Sequence, residues 1–281
     1  MGYSAIDVRP LAGACGAEVF GADVSKPLDN RLAEEIHRAW LDHHVLVFRD
    51  QSLTPKQQVA FARRFGTPNI YPFVKGLEEE PHVIALVKEP HETKGFGERW
   101  HSDTTYLANP PIATMLYGAD IPAYGGDTMF ASAELAYERL SDGLKRTLEP
   151  LVAVNSAALD YAGGRAGRMQ YANIGVTGQD KMDMEAEHPV IRVHPETGKK
   201  SIYVNQIHTK RFNGWTAEES RNLLAYLFDF IVRPEHTCRV RWAKGSLTVW
   251  DNRSVQHVAL NDYHGQRREA HRVTIEGEPP R

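Results

Sequence analysis

After Pro234 the chain gives up helical periodicity and breaks into short alternating runs: Cys238 to Trp242, Ser246 to Trp250 across Lys244-Gly245, and Arg272 to Ile275. Alternate residues of a strand share a face, so each run can press one side on a core only with neighbouring strands beside it. Further short runs rich in β-branched and aromatic residues lie at Val83 to Val87, Thr114 to Tyr117, Val190 to Val193 and Ile202 to Val204. No glycine-rich phosphate loop follows any of them, and their spacing does not repeat as βαβ units. The pattern predicts a mostly β fold with flanking helices, its β core closed or sandwiched.

Three segments read as helices. Asp29 to Asp42 carries Leu32, Ile36, Ala39 and Trp40 at helical spacing and leads into the strand Val45 to Phe48. Thr54-Pro55-Lys56-Gln57 combines a capping hydroxyl, a first-turn proline and a glutamine three positions on, with Gly66 placed to end the helix after Phe65. Thr216 with Glu219 forms a second capping box, and the apolar face Leu223, Leu224, Leu227, Phe228 and Ile231 must stop near Pro234.

With 281 residues, 42% of them hydrophobic, the chain can build a core without disulfides or a structural metal, so any metal present is expected to be functional. A formal charge of −3 and a pI near 6.5 offer no general attraction to nucleic acid or to anionic membranes. The longest apolar runs, VLVFRD and LLAYLFDFIV, are too short to span a bilayer. Cys15 and Cys238 are far apart in sequence, and the N-terminal residues lack a basic and then apolar leader, so a reduced, cytoplasmic setting is expected. Nothing divides the chain, and residues 1–281 are read as one domain. The glycine-rich stretch 160–187 reads as an inserted lid or, equally, as an ordinary surface loop.

The chemistry starts from His101 and Asp103 in Trp100-His101-Ser102-Asp103, the one His-x-Asp among 13 histidines. In an extended segment both side chains face the same way and can converge on one ion. His194-Pro195-Glu196 imitates the pattern, but its proline and the following Thr197-Gly198 mark a hairpin turn. His257, just beyond Trp250-Asp251-Asn252-Arg253, is the candidate third ligand. Two imidazoles and one carboxylate on one face of an octahedral ion suit Fe(II) and leave three positions for exogenous ligands, whereas a closed zinc site would want cysteine, and neither cysteine has a suitable neighbour. Arg268 and Arg272 share strand parity. Alone they would read as a solvated basic edge; beside three ligands they read as anion forks.

These residues belong to a longer series: Gly16-Ala17-Glu18-Val19, Gly21-Ala22-Asp23, Leu53-Thr54-Pro55, Arg64-Phe65-Gly66, Trp100-His101-Ser102-Asp103, Pro110-Pro111, Gly125-Gly126-Asp127-Thr128, His188-Pro189-Val190, His194 to Gly198, Trp250 to Arg253, and Arg267-Arg268 to Arg272. In this order they resemble the taurine/2,4-dichlorophenoxyacetate dioxygenase family of Fe(II)/2-oxoglutarate oxygenases, along nearly the whole chain. The resemblance implies a double-stranded β-helix, or jelly roll, with His101, Asp103 and His257 holding iron and with Thr128 and Arg268 holding the distal carboxylate of 2-oxoglutarate. It implies oxidative decarboxylation of 2-oxoglutarate by O2 to succinate and CO2, coupled to hydroxylation of a substrate.

The resemblance also places Arg272 where the family binds its substrate anion. Taurine-cleaving members carry a histidine after Arg-Phe-Gly, where this chain has Tyr71, and an Asp-Asn pair where it has Phe96-Gly97. A small or medium organic anion with a more apolar body than taurine is therefore expected: an alkyl sulfate, a sulfonate, an aryloxyalkanoate or another carboxylate. Tyr71, Phe96, Thr104 and His208, with Phe73, Tyr106 and Tyr161, are the candidate pocket residues. Two other functions compete with the oxygenase: a metal-binding jelly-roll sensor or binding protein without turnover, and a metal-dependent isomerase or hydrolase, which the Arg268 and Thr128 anchors disfavour. A homo-oligomer is expected, with no nucleic-acid or membrane partner.

Overall fold

The computed structural model describes residues 2–71, 74–158 and 184–281. Phe73, Tyr161 and residues 160–183 of the expected insertion lie outside the described residues. Glu185, Ala186 and Glu187 open a strand and so fall outside any loop.

The strands in chain order are β1 (Asp7–Pro10), β2 (Ala17–Phe20), β3 (Val45–Phe48), β4 (Pro68–Asn69), β5 (Ile84–Lys88), β6 (Pro111–Asp120), β7 (Thr128–Ser132), β8 (Val152–Ser156), β9 (Glu185–Pro189), β10 (Ile191–Val193), β11 (Lys200–Ile202), β12 (Thr209–Phe212), β13 (Thr237–Val240), β14 (Leu247–Asp251), β15 (Val255–Ala259) and β16 (Arg268–Gly277). The helices are α1 (Asn30–His43), α2 (Pro55–Ala62), α3 (Ala133–Glu138), α4 (Asp142–Leu148) and α5 (Ala217–Ile231). Asp29 caps α1, and Thr54 and Thr216 close full capping boxes on α2 and α5, as their spacing predicts. α2 ends at Ala62 rather than Phe65, because the Arg64 and Phe65 amides bond three residues back and tighten the chain into turns.

The large sheet runs β1-β2-β3-β14-β6-β16-β4, with β5 also paired to β16, and every pairing but β2 with β3 is antiparallel. A smaller sheet, β13-β7-β15, faces it across a shared core. Strand parity decides which core each residue enters. In β3, Val45 and Val47 join the core between the sheets, while Leu46 and Phe48 join the one that includes residues of α1 and α2. All four are buried, which explains a strand with no polar face: helices cover the side that would otherwise meet water. The same parity sends Leu116, Trp250, Ala270, Phe130, Val240 and Val255 inward between the sheets. The architecture is the expected double-stranded β-helix with flanking helices.

Cys15 and Cys238 correct the sequence reading. They are 223 positions apart, yet their sulfurs lie 3.5 Å from each other as buried free thiols, each being the other's neighbour. They pack in the inter-sheet core, away from the candidate ligands.

Candidate active site

Where inward parity meets a polar residue, the inter-sheet core becomes a site. Thr114 lies two positions from Leu116, Thr128 two from Phe130, His257 two from Val255, and Arg268 and Arg272 flank Ala270. His101 is tied to His257 by an isolated antiparallel bridge, with amide-to-carbonyl bonds of 3.0 and 2.8 Å in the two directions. Asp103 arrives by a turn rather than in an extended strand: Thr104 has φ +44°, an unusual conformation for a β-branched residue, and the chain bends sharply there. Ser102 donates instead to the Val255 carbonyl at 3.0 Å.

His101, Asp103 and His257 are all buried, and one ligand atom from each lies within 4.8 Å of the other two; among the described residues no other such group of three occurs. His101 Nδ1–H donates to the Arg99 carbonyl at 2.7 Å, which leaves Nε2 as the nitrogen able to meet an ion. Burial depresses the basicity of His257, and the neighbouring His101 adds to this, so its imidazole is neutral and fit to coordinate. Its Nδ1 has no hydrogen-bond partner among the described residues. Its ring lies 4.8 Å from that of Trp250 and 6.0 Å from that of Phe130.

Burial alone would raise the Asp103 pKa, but Arg272 above all, then the two imidazoles and Thr114, hold the carboxyl well below the usual range. Arg272 stands 2.9 Å from Oδ1. Thr114 Oγ1 donates to Oδ2 at 2.6 Å, Asn252 Nδ2 donates to Thr114 Oγ1 at 3.0 Å, and Trp250 Nε1 donates to Asn252 Oδ1 at 2.9 Å. The Asp103 carboxylate is thus oriented by a buried chain reaching back to the Trp250-Asp251-Asn252 turn. A divalent ion fits this donor set, and the set is the two-imidazole, one-carboxylate face that suits iron(II).

Two of the three, His101 and His257, line a cavity of about 850 Å³, counted to its mouth, with Asp103 held behind them by Arg272. Thr128 and Arg268 line the same cavity. Trp242 Nε1 donates to Thr128 Oγ1 at 3.0 Å, so the threonine keeps its own hydroxyl proton to give to a ligand. Burial lowers the Arg268 pKa, and its Nε has no partner among the described residues. Gly125 and Gly126 take φ +76° and +68° before Thr128; a Cβ on Gly126 would press on Tyr263 and Arg268.

The sequence profile of the "Taurine catabolism dioxygenase TauD, TfdA family" matches residues 7–274. The chain belongs to this family. It is 38% identical to the alkylsulfatase of Acinetobacter baylyi over 97% of this chain and 86% of that one. It is 34% identical to an alpha-ketoglutarate-dependent sulfate ester dioxygenase of Pseudomonas putida, over 98% and 91%. It superposes with a TM-score of 0.80 and 29% identity on AAD-2, solved in complex with Mn(II) and N-oxalylglycine, covering 98% of each chain. This family member is a dioxygenase whose cofactor is Fe(II) and whose cosubstrates are 2-oxoglutarate and O2.

The fold gathers the other candidates unevenly. Phe96 and Arg272 line the cavity. Tyr71 is buried with its ring centre 5.6 Å from the Arg272 guanidinium carbon. His208 Nδ1 meets Thr105 Oγ1 at 3.1 Å and its ring lies 6.5 Å from that of His101; neither it nor Thr104 is part of the cavity lining. Sequence reading gave Thr114 and Trp242 no place in the site and noted Trp250 and Asn252 only within the Trp250 to Arg253 motif. The available signal was inward parity: each polar group sits in register with core residues of its own strand or turn.

Proposed function

We propose that His101, Asp103 and His257 hold iron(II), that Thr128 and Arg268 bind the distal carboxylate of 2-oxoglutarate, and that Arg272 receives an organic anion of alkyl sulfate or related type. The buried trio, with His101 and His257 on the cavity wall, and the Arg268 Nε on the same wall, without a partner among the described residues, carry this reading. Iron(II) with 2-oxoglutarate and O2 supplies the oxidising chemistry: the oxo acid becomes succinate and CO2, taking one oxygen atom, and the other enters a substrate C–H bond. The protein's share is placement. Arg268 and Thr128 fix the cosubstrate's far end, the Thr114–Asn252 chain fixes the carboxylate ligand, and the inter-sheet core excludes bulk water.

Arg272 has two tasks in this proposal. It neutralises Asp103, and its Nε, without a partner among the described residues, is free to meet a substrate oxygen. With Tyr71 and Phe96 in place of polar neighbours, an alkyl or aryl body gains about 25 cal/mol per Å² of apolar surface removed from water, whereas a taurine ammonium would find no counter-charge there. Where the hydroxylated carbon bears sulfate, the adduct collapses to an aldehyde and free sulfate. The names of the two relatives favour sulfate esters.

A single domain is part of the proposal. Its support is the large sheet itself, which joins β1 to β3 near the start of the chain to β14 and β16 near its end.

The test is a screen of alkyl sulfates, alkyl sulfonates, aryloxyalkanoates and taurine for 2-oxoglutarate-dependent O2 consumption and succinate release. Turnover of alkyl sulfates with sulfate release is the expected result. Efficient turnover of taurine alone would overturn the pocket assignment, and binding of metal and anion without succinate would favour a sensor.

A further inference from the structure

Lys88, the last residue of β5, is 5% exposed, lines the active-site cavity, and its Nζ has no hydrogen-bond partner among the described residues. An ammonium in that state is rare, since buried charges are normally paired. Its surroundings are specific. β5 pairs antiparallel with β16 so that Lys88 lies directly across from Arg268. Directly opposed residues project side by side from one face of a sheet, and like charges so placed destabilise it. The Lys88 Nζ also sits 4.4 Å from the ring centre of Tyr263, the residue that closes over Gly126 against the Arg268 stem.

Two buried cations with unsatisfied N–H groups therefore share one corner, and no carboxylate in the described residues bonds to either. Of the two acidic side chains that line the cavity, Glu92 accepts from the Glu89 amide and Glu98 accepts from Asn261 and from the Gly95 amide. A ligand anion is what the corner lacks. Asp127, a neighbour in charge to Arg268, is paired with Arg239 at 2.6 Å.

We infer that Lys88 is a second cationic anchor for the distal carboxylate of 2-oxoglutarate, acting with Arg268 and Thr128; this rests on the cosubstrate placement proposed above. A carboxylate has two oxygens and about four acceptor sites, enough for the Arg268 fork, the Thr128 hydroxyl and the Lys88 ammonium together. The substrate anion is a poorer occupant, because Arg272 lies four residues along β16, about 13 Å at the usual strand rise. The arrangement makes the site selective for a 2-oxo acid bearing a second carboxylate at its far end, since a monoacid would leave both cations unpaired.

The experiment is anaerobic calorimetric titration of the iron(II)-loaded protein with 2-oxoglutarate and with 2-oxopentanoate, which lacks the distal carboxylate. Lys88→Met keeps the stem against Tyr263, and Lys88→Gln is the second variant should the first not fold. The expected result is a loss of about tenfold or more in 2-oxoglutarate affinity, the scale of a charge-assisted hydrogen bond, with 2-oxopentanoate affinity unchanged or improved. Equal weakening of both oxo acids, or no change in either, overturns the assignment of Lys88. Arg268→Ala run in parallel separates the two failures: if it loses 2-oxoglutarate while Lys88→Met does not, the cosubstrate placement stands and Lys88 is only a packing residue. If Arg268→Ala also binds normally, the placement itself fails.

Discussion

Two buried Asp–Arg–His groups lie a few residues apart in this fold, and they differ in what they leave unsatisfied. Asp251 is fully enclosed: Arg253 grips it with Nε and Nη2 at 2.8 and 2.7 Å, and His194 Nε2–H donates to it at 3.0 Å. His194 Nδ1 in turn accepts the Glu196 and Thr197 amides, and Arg253 Nη1 reaches Glu196 at 2.8 Å. The Asp103 group has the same chemical parts but is under-paired: Arg272 makes one approach to it, and His257 Nδ1 and Arg272 Nε stay open beside a cavity. The first group is a strut that locks the hairpin between β10 and β11 to the end of β14. The second has capacity left for a ligand. Residue type does not distinguish them; residual hydrogen-bonding and charge capacity does.

The comparison breaks most sharply at the ligands. His101→Ala and His257→Ala are expected to lose iron binding and turnover to below detection, since two remaining ligands seldom hold a labile divalent ion against water. Their metal-free thermal unfolding should stay close to wild type. Anaerobic iron titration beside calorimetric melting checks both halves, and retained iron affinity in both variants would reassign the centre.

Next come the arginines. Arg253→Ala leaves Asp251 buried and uncompensated and is expected to cost about 3–5 kcal/mol in urea unfolding, a gap to wild type that Mn(II) leaves unchanged because it stabilises both alike. Arg272→Ala should also destabilise the metal-free protein, but Mn(II) should restore part of the loss, because a bound cation replaces the guanidinium beside Asp103 and binding stabilises by mass action. Equal responses of the two variants to Mn(II) would erase the distinction between strut and site.

A smaller effect is expected along the buried chain behind Asp103. Thr114→Val and Asn252→Ala should weaken metal affinity by about 10–100-fold, the usual consequence of releasing a ligand from its orienting partner. Affinity equal to wild type in both would reduce the chain to packing.

The smallest is a difference in acid sensitivity. Arg253 and His194 outweigh burial and hold the Asp251 carboxyl well below its usual range, and Glu196 is lowered to about 2, chiefly by its hydrogen bond to His37 and, against burial, by Arg253. Carboxyls with depressed folded-state pKa values stabilise the fold above the unfolded value of about 4, and that contribution disappears as pH falls from there through the folded values. Unfolding free energy should therefore fall with pH below about 4 in wild type and more gently in Arg253→Ala. Parallel curves in denaturant titrations across that range would contradict this origin of the pH dependence.

The sequence by itself determined the local pieces. Thr54-x-x-Gln57 and Thr216-x-x-Glu219 set helix starts because a cap joins groups three residues apart, and His101-x-Asp103 offered two candidate ligands as neighbours, though a turn rather than an extended segment brings them together. Alternation marked the strands, though β16 extends well beyond Arg272 to Ile275 and β6 beyond Thr114 to Tyr117, since strand ends are set by partners. With its family resemblance, the chain also offered His257, Thr128 and Arg268 as candidates. Only the tertiary structure decided the rest. It paired Cys15 with Cys238, joined Asn252 to Asp103 through Thr114, set Lys88 across from Arg268, and separated the closed aspartate from the open one. The reason is physical: a strand's period of two says which residues share a face, but inter-strand register decides what that face meets, and that register joins positions more than a hundred residues apart.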